Sequence, residues 1–384
     1  MAEVKNNIGV DEKFPEDVSE VSVHQDATAI YIDPEKEKAC LRKFDKYFMP
    51  QAFIFLLLNY LDRSNLGNAV IFGFKEDTNL KGNEFGNINT LFFVTYVLFE
   101  IPWVMAVKRF GPNKVLAAAL ASWSLVTLGT GFVQNYGQAI ACRMLLGACE
   151  AGVAPGFAYI FSTIYPQSSV AKRIAMTNFA NAVSGAFGGL IAYGIQMMGD
   201  QRGLSAWRWL FIIEGAFSLV LGFVCWMTFP TSPDTAWFLN AEEKELMALR
   251  KKRDMAFRGE DKPLDLKWVK IAFSDPFVYI ASLAFFTSSV AIFGFGLFLP
   301  TIIRGLGFAS LKVNYMTIPV YVVGAGALLL QTWLSDKLQK RALFLIISAI
   351  PVATGYIICV GTATVGGGYA AMFILAAGKS NQNL

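Results

Sequence analysis

Six ionisable residues stand inside long apolar stretches of this chain: Asp62, Arg63, Glu100, Arg143, Glu150 and Glu214. A charge at the centre of a membrane helix costs about 2.5–3.5 kcal/mol on insertion scales, so each of the six needs a purpose. Carboxyls that take up and release protons, and guanidiniums that grip an anion through a planar fork of donors, are the chemistries on offer. Arg143 and Glu150 are seven residues apart, nearly two helical turns, and so share one helix face. Gly147, Gly152, Pro155 and Gly156 belong to the same segment. Gly152 and Gly156 form a small-xxx-small pair that lets another backbone come close. An acid held at Glu150 can exchange a proton, as a proton-coupled carrier requires; the other reading is a static Arg–Glu lock between helices. Asp62-Arg63 lies roughly 24 Å along its helix from Lys46, past the bilayer centre. Ser64, Asn65, Gly67 and Asn68 follow, so this end faces protein or water. Arg63 is an anion ligand in one reading, and in another half of a pair that snorkels or ties helices together. Glu100, just before Pro102, suits a gating or structural bridge, and Glu214, after Trp207-Arg208-Trp209, a packing role.

Other chemistries find little support. The single histidine, His24, lies in a polar N-terminal segment, away from every apolar stretch. Cys40, Cys142, Cys149, Cys225 and Cys359 are scattered and read as small packing residues. No nucleophile–base arrangement, metal-ligand spacing or phosphate loop stands out, and Gly366-Gly367-Gly368 reads as a short turn. The expectation is a protein that is not an enzyme, holds no metal and uses no cofactor. A net charge of +4 leaves no nucleic-acid footprint.

The elements that must position these groups follow from where charge is scarce. Charged residues make up 16% of the 384, against about 25% in soluble proteins. They concentrate in 1–48 (7 basic, 11 acidic) and 230–272 (9 basic, 8 acidic), and the remainder reads as membrane. Apolar runs of spanning length are expected at 47–70, 86–107, 113–133, 138–163, 173–198, 207–229, 276–303, 312–334 and 342–361, with a tenth beginning near 367. Alternate loops carry 24 and 6 Lys/Arg, which places the N-terminus and the 230–272 loop in the cytoplasm. The expected organisation is a disordered segment over 1–45, a six-helix bundle over 46–229, a cytoplasmic loop over 230–272 and an incomplete bundle over 273–384. The fold class is an all-α membrane protein of about nine to ten spans. On the fifth span Asn178, Asn181 and Ser184 offer polar contacts to a cavity. The aromatic residues Phe285, Phe286, Phe293, Phe295 and Phe298 of the seventh could line a cavity, with packing or lipid-facing the default expectation.

Several stretches carry a resemblance: Asn59-Tyr60-Leu61-Asp62-Arg63-Ser64-Asn65-Leu66-Gly67-Asn68-Ala69, Tyr96-Val97-Leu98-Phe99-Glu100-Ile101-Pro102, Arg143 through Gly156, Trp207 through Gly215, and Phe298-Leu299-Pro300-Thr301-Ile302-Ile303. From about residue 45 to 375 the chain resembles the major facilitator superfamily, its anion:cation symporter branch, and within that the fungal allantoate/nicotinate/pantothenate permease group. The resemblance implies a major facilitator-type helical bundle and a proton-driven symporter of a small organic anion. It gives Arg63, Tyr96, Arg143 and the position of Ser184 to substrate, beside Asn181 read from the fifth span, and Asp62 and Glu150 to the proton. Gating or structural roles are expected for Lys108, Arg109, Asp336 and Lys337 in the basic loops, as for Glu100 above. Some bacterial relatives have Gln where Ser184 stands. Lys108-Arg109 replaces an acid–Arg pair, whereas Asp336-Lys337 keeps the acid. The expected partners are the anion, protons and the lipid bilayer, with the chain a monomer in the plasma membrane or, second, the vacuolar membrane. The family has twelve spans and this chain reaches its tenth. A truncated, non-transporting receptor or inactive paralogue is therefore the alternative expectation.

Overall fold

Two prolines open the first two helices, where a missing N–H does no harm. The computed structural model describes residues 31–379 except 231, 259–269, 272, 309, 339–340 and 363. Helix α1 (Pro34–Tyr47) is capped by Asp33, whose carboxylate accepts the Glu35 N–H at 3.0 Å; Glu35 and Glu37 lie in its first turn and Lys46 in its last. It buries Cys40 and Phe44, and the Phe44 ring meets Phe238 edge-on at 4.9 Å. The expectation of disorder over 1–45 therefore fails for 34–45. A cap, a complementary charge gradient and an apolar stripe outweigh the polar composition there. Residues 1–30 lie outside the described part.

Helix α2 (Met49–Ile71) is the axis of the first bundle. Gly73, at φ +93, turns the chain into the short α3 (Phe74–Asp77). The Asp77 carboxylate there accepts hydrogen bonds from Trp207 Nε1 at 2.8 Å and from the Ser205 hydroxyl, which pins this turn to the start of α9. Around α2 stand α4 (Glu84–Phe110), α5 (Pro112–Thr130), α6 (Tyr136–Glu150), α7 (Val153–Ile164), α8 (Gln167–Met198) and α9 (Ala206–Thr228). A 3₁₀ turn (Pro233–Thr235) and α10 (Ala241–Arg258) follow, so the charged 230–272 segment holds a helix where only a loop was expected. The second bundle has α11 (Pro276–Gly305), α12 (Ser310–Leu338), α13 (Arg341–Gly361) and α14 (Val365–Lys379). No β-strand occurs among the described residues.

The expected spans match these helices to within a few residues at most ends. The fourth is broken into α6 and α7 at Ala151-Gly152. A Cβ on Gly152 would lie 2.5 Å from that of Trp103, so glycine is what lets the indole cover the break. Trp103 Nε1 donates to the Ala148 carbonyl at 2.6 Å and takes up an acceptor freed by the interruption. By length and composition alone, four described stretches could cross a membrane: Glu84–Phe110, Tyr136–Ile164, Ala206–Thr228 and Lys312–Ser335. Helix α2 falls short because Asn59, Asp62, Asn65 and Asn68 interrupt its apolar run, and all four are buried in protein.

Helix–helix contact inside a bilayer depends on close packing more than on water exclusion. The Phe55 ring lies 5.3 Å from Trp123 and 5.1 Å from Phe157, bringing α2, α5 and α7 together. The two bundles meet at the end remote from α1. There a Cβ on Gly67 would come within 2.5 Å of the Leu297 carbonyl oxygen, Gly185 lies under the Tyr321 ring, and Asn314 donates to Gln196 Oε1 at 3.1 Å. At the other end the first half of α11 leaves Phe277, Ile280, Leu283 and Phe286 exposed.

Candidate functional site

Consecutive residues on a helix point about 100° apart, so Asp62 and Arg63 serve different sides of α2. Asp62 turns into the first bundle, 1% exposed, and accepts the Thr127 hydroxyl of α5 at 3.0 Å; its other oxygen has no partner. Arg63 turns toward the second bundle and enters the wall of a cavity. Its Nε donates to Glu150 Oε2 at 2.9 Å, with Glu150 at 0% exposure. The ring of Tyr96 lies 4.9 Å from the guanidinium carbon, that of Phe92 5.7 Å and that of Tyr60 5.9 Å. Three aromatic faces and a carboxylate therefore hold the fork in one orientation.

The close approach of α4 to α6 makes this cage. A side chain on Gly147 would collide with the Phe92 carbonyl, so glycine there lets Phe92 and Tyr96 reach the guanidinium. Glu150 is the last residue of α6, immediately before the helix break. Arg143, on the same face as Glu150, is 4% exposed and also lines the cavity. Its Nε and Nη2 have no hydrogen-bond partner, and the Phe211 ring lies 5.7 Å away.

The cavity encloses about 430 Å³ between the bundles. From the first bundle come Tyr60, Arg63, Ser64, Asn89, Thr90, Phe92, Phe93, Arg143, Asn181, Ser184 and Gly185. From the second come Val290, Gly294, Gly296, Leu297, Phe298 and Tyr321. One wall is thus cationic and polar, the other aromatic and apolar. That division suits a small molecule with a carboxylate at one end and an apolar body at the other.

Of the residues expected at substrate, Arg63, Arg143, Asn181 and Ser184 line the cavity together; Tyr96 stands behind Arg63 as a stacking face. Ser184 donates to the Asn181 carbonyl at 2.7 Å, so its hydroxyl proton is used within α8. The two expected proton acids lie behind the wall, Glu150 against Arg63 and Asp62 against Thr127. The expected gating residues are not part of this cluster. Glu100 is half-buried on α4; Lys108 and Arg109 are exposed at its end, with Arg109 over the Phe110 ring at 5.5 Å. Lys337 lies 5.0 Å from the Trp333 ring, and the side chain of Asp336 lies outside the described part. The side chains of Asn178, Phe285 and Phe293 do so too. Phe295 packs and Phe286 is exposed, the default expected of these rings, while Phe298 takes the cavity-lining alternative and Tyr321 joins it. Sequence reading passed over Tyr321, Asn89, Thr90 and Thr127. A polar Asn87/Asn89/Thr90 cluster in an apolar helix is the one signal that could have flagged any of them.

A family model described as Major Facilitator Superfamily matches residues 52–380. An uncharacterized transporter of Schizosaccharomyces pombe is 39% identical over 359 residues, 92% of this chain and 72% of the relative. The high-affinity nicotinic acid transporter of Saccharomyces cerevisiae is 34% identical, over 89% of this chain and 64% of its own length. Among solved structures, the proton:xylose symporter XylE superposes with a TM-score of 0.67 at 15% identity, covering 88% of this chain and 82% of that one. A bacterial homolog of the human lysosomal transporter Spinster, inward-facing and unoccupied, gives 0.64 at 18% identity, covering 88% and 74%. At these identities the structures speak for the fold alone.

Proposed function

Because the chain belongs to the Major Facilitator Superfamily and is a multi-pass membrane transporter, not an enzyme, we propose that it is a proton-coupled symporter importing a small organic anion. A nicotinate-, pantothenate- or allantoate-like carboxylate is the class of substrate. The observation that carries this reading is the pair of guanidiniums, Arg63 and Arg143, in the wall of one cavity, with Asp62 and Glu150 buried directly behind them. The carboxylate docks on the guanidinium wall, and its body lies against Phe298 and Tyr321. A proton on Asp62 or Glu150 offsets the added negative charge, so the loaded bundles rock past each other without carrying an unbalanced ion through low dielectric.

In this reading the proton gradient is the driving force and no cofactor takes part. The chain works as a monomer in the plasma membrane with α1 and α10 in the cytoplasm. The contacts Gly67–Leu297 and Gly185–Tyr321 then close the outer side, so the bundles stand in an inward-facing arrangement. That a yeast relative is a high-affinity nicotinic acid transporter supports the carboxylate class. Uptake of radiolabelled nicotinate, pantothenate and allantoate, measured at pH 5 and pH 7.5, tests it. Faster uptake at pH 5, collapsed by a protonophore, is expected for at least one. Uptake of none, or uptake indifferent to both pH and protonophore, rejects the proton-coupled carrier.

A further inference from the structure

Glu214 is the buried acid to which this cycle gives no task. It sits on α9 at 7% exposure, and neither carboxylate oxygen has a hydrogen-bond partner. Ser218, one turn further on, is wholly buried with its hydroxyl equally unpartnered. Backbone contact between α5 and α9 holds the acid in place, because a Cβ on Gly215 would lie 2.6 Å from the Leu128 nitrogen. The packing role expected from sequence does not account for two orphaned oxygens; an unsatisfied buried polar group needs its own reason.

The charged groups whose fields reach Glu214 are Asp62 from α2 and Glu150 and Arg143 from α6. Helix α5 carries no charged residue from Val115 to Thr130, and α8 none after Arg173. Cys142 is the remaining titratable neighbour of Arg143. Arg63 is engaged by Glu150, and Asp62 holds the Thr127 hydroxyl. Asp62 and Glu150 each keep one oxygen engaged and one without a partner, whereas Glu214 has neither oxygen engaged and Arg143 keeps Nε and Nη2 without a hydrogen bond. Phe211, one turn before Glu214, is the ring beside Arg143, so that guanidinium lies between α9 and the cavity it lines.

We propose that Glu214 is a proton-operated competitor for Arg143. Ionised, it draws the guanidinium back from the cavity; protonated, it leaves the fork to a carboxylate bound there. This rests on the carrier reading above and gives that site a third acid. Competition for one cation makes proton and anion bind with positive linkage, so acid favours docking even before any conformational change.

Equilibrium binding of radiolabelled nicotinate, pantothenate and allantoate to the purified full chain, between pH 5 and pH 8, tests the idea. Wild-type affinity is expected to weaken as pH rises. At pH 8, Glu214→Gln is expected to bind at least ~10-fold more tightly than wild type, within the usual range of a coupling between two sites. Glu214→Asp, which keeps the acid, is expected to keep the pH dependence. Glu214→Gln affinity that follows wild type at every pH overturns the proposal and leaves the carrier reading standing, with Asp62 and Glu150 still able to couple. No binding of any of the three at any pH removes the anion role of Arg143 and overturns both. Should Glu214→Gln fail to fold, Glu214→Ala is read in the same titration; tighter binding than wild type at pH 8 supports the competition, and affinity that follows wild type at every pH overturns it.

Discussion

Two ionic clusters face each other across the first bundle, and they are built on opposite terms. At the α1 end ion pairs run from one element to another. Lys43 pairs with Glu243 at 2.7 Å, Arg173 with Asp45 at 2.6 Å, and Arg250 with Glu37 at 3.1 Å. Arg250, only 2% exposed, also donates to the Ile164 carbonyl at 2.7 Å, which fastens α10 to the end of α7. In the middle of the bundle, Arg63–Glu150 is the one ion pair formed, while Asp62, Arg143, Glu150 and Glu214 all keep unpartnered atoms, against Arg250 alone among the paired residues of the α1 end. Water can repair a missed contact at the bundle end but not at its centre, so the unpaired groups stand where they are most costly. The difference teaches that the first cluster fastens elements and the second is held ready for something that arrives.

The largest effect is expected from breaking the one pair formed in the central cluster. Arg63→Ala leaves the fully buried Glu150 alone and removes a guanidinium from the cavity wall. Stranding one partner of a buried pair costs about 3–5 kcal/mol, so initial uptake should fall by at least ~100-fold. Arg63→Lys keeps the charge but loses the fork and should fall between. Uptake per molecule at the cell surface is the measurement; a rate within twofold of wild type for Arg63→Ala would place anion docking elsewhere. The matching change in the other cluster is Arg250→Ala. It deprives the Ile164 carbonyl of its side-chain donor, leaves Glu37 with the longer Arg253 contact at 3.5 Å, and should destabilise the protein by about 2–3 kcal/mol. A thermal unfolding midpoint lower by ~5 °C is expected, with substrate affinity unchanged. A large loss of affinity instead would mean that the two clusters are not separate in role.

The spans, the cationic wall and the two acids behind it were legible in the sequence because charge in an apolar run is costly enough to be informative. Arg143 and Glu150 could be put on one face from their seven-residue spacing alone. Three things were hidden. The pairing was hidden first: adjacency suggested Asp62 with Arg63 as a unit, but a helix turns about 100° per residue and sends them to different neighbours. The full aromatic wall was hidden second: Phe298 could be read as lining, packing or lipid-facing, and nothing marks Tyr321 until the second bundle is docked. Helix α1 was hidden third, since its stripe of Cys40 and Phe44 is too short to stand out from an acidic segment until Phe238 packs on it.

The smallest effect sharpens the comparison from the outside. Lys43–Glu243 is the most exposed anchor of the α1 end, with side chains 38% and 19% accessible. Slight burial pushes the Glu243 carboxyl up, but the hydrogen bond from Lys43, the Asn240 backbone N–H and the Lys43 charge outweigh it and hold it below the ordinary range. An acid whose folded-state value is depressed stabilises the protein above its unfolded value, and that contribution is lost as pH falls through the folded one. The pair should therefore contribute at neutral pH and stop contributing below the carboxylate range. Exposed pairs are worth about 1 kcal/mol or less and are screened by salt. Lys43→Ala should accordingly shift the thermal midpoint by no more than ~2 °C at neutral pH and low salt, and by less again at acid pH or in high salt. Uptake at saturating substrate should be unchanged. An effect as large as that of Arg250→Ala, or one that survives high salt, would mean that α10 is held mainly by this outer pair and not by the buried arginine.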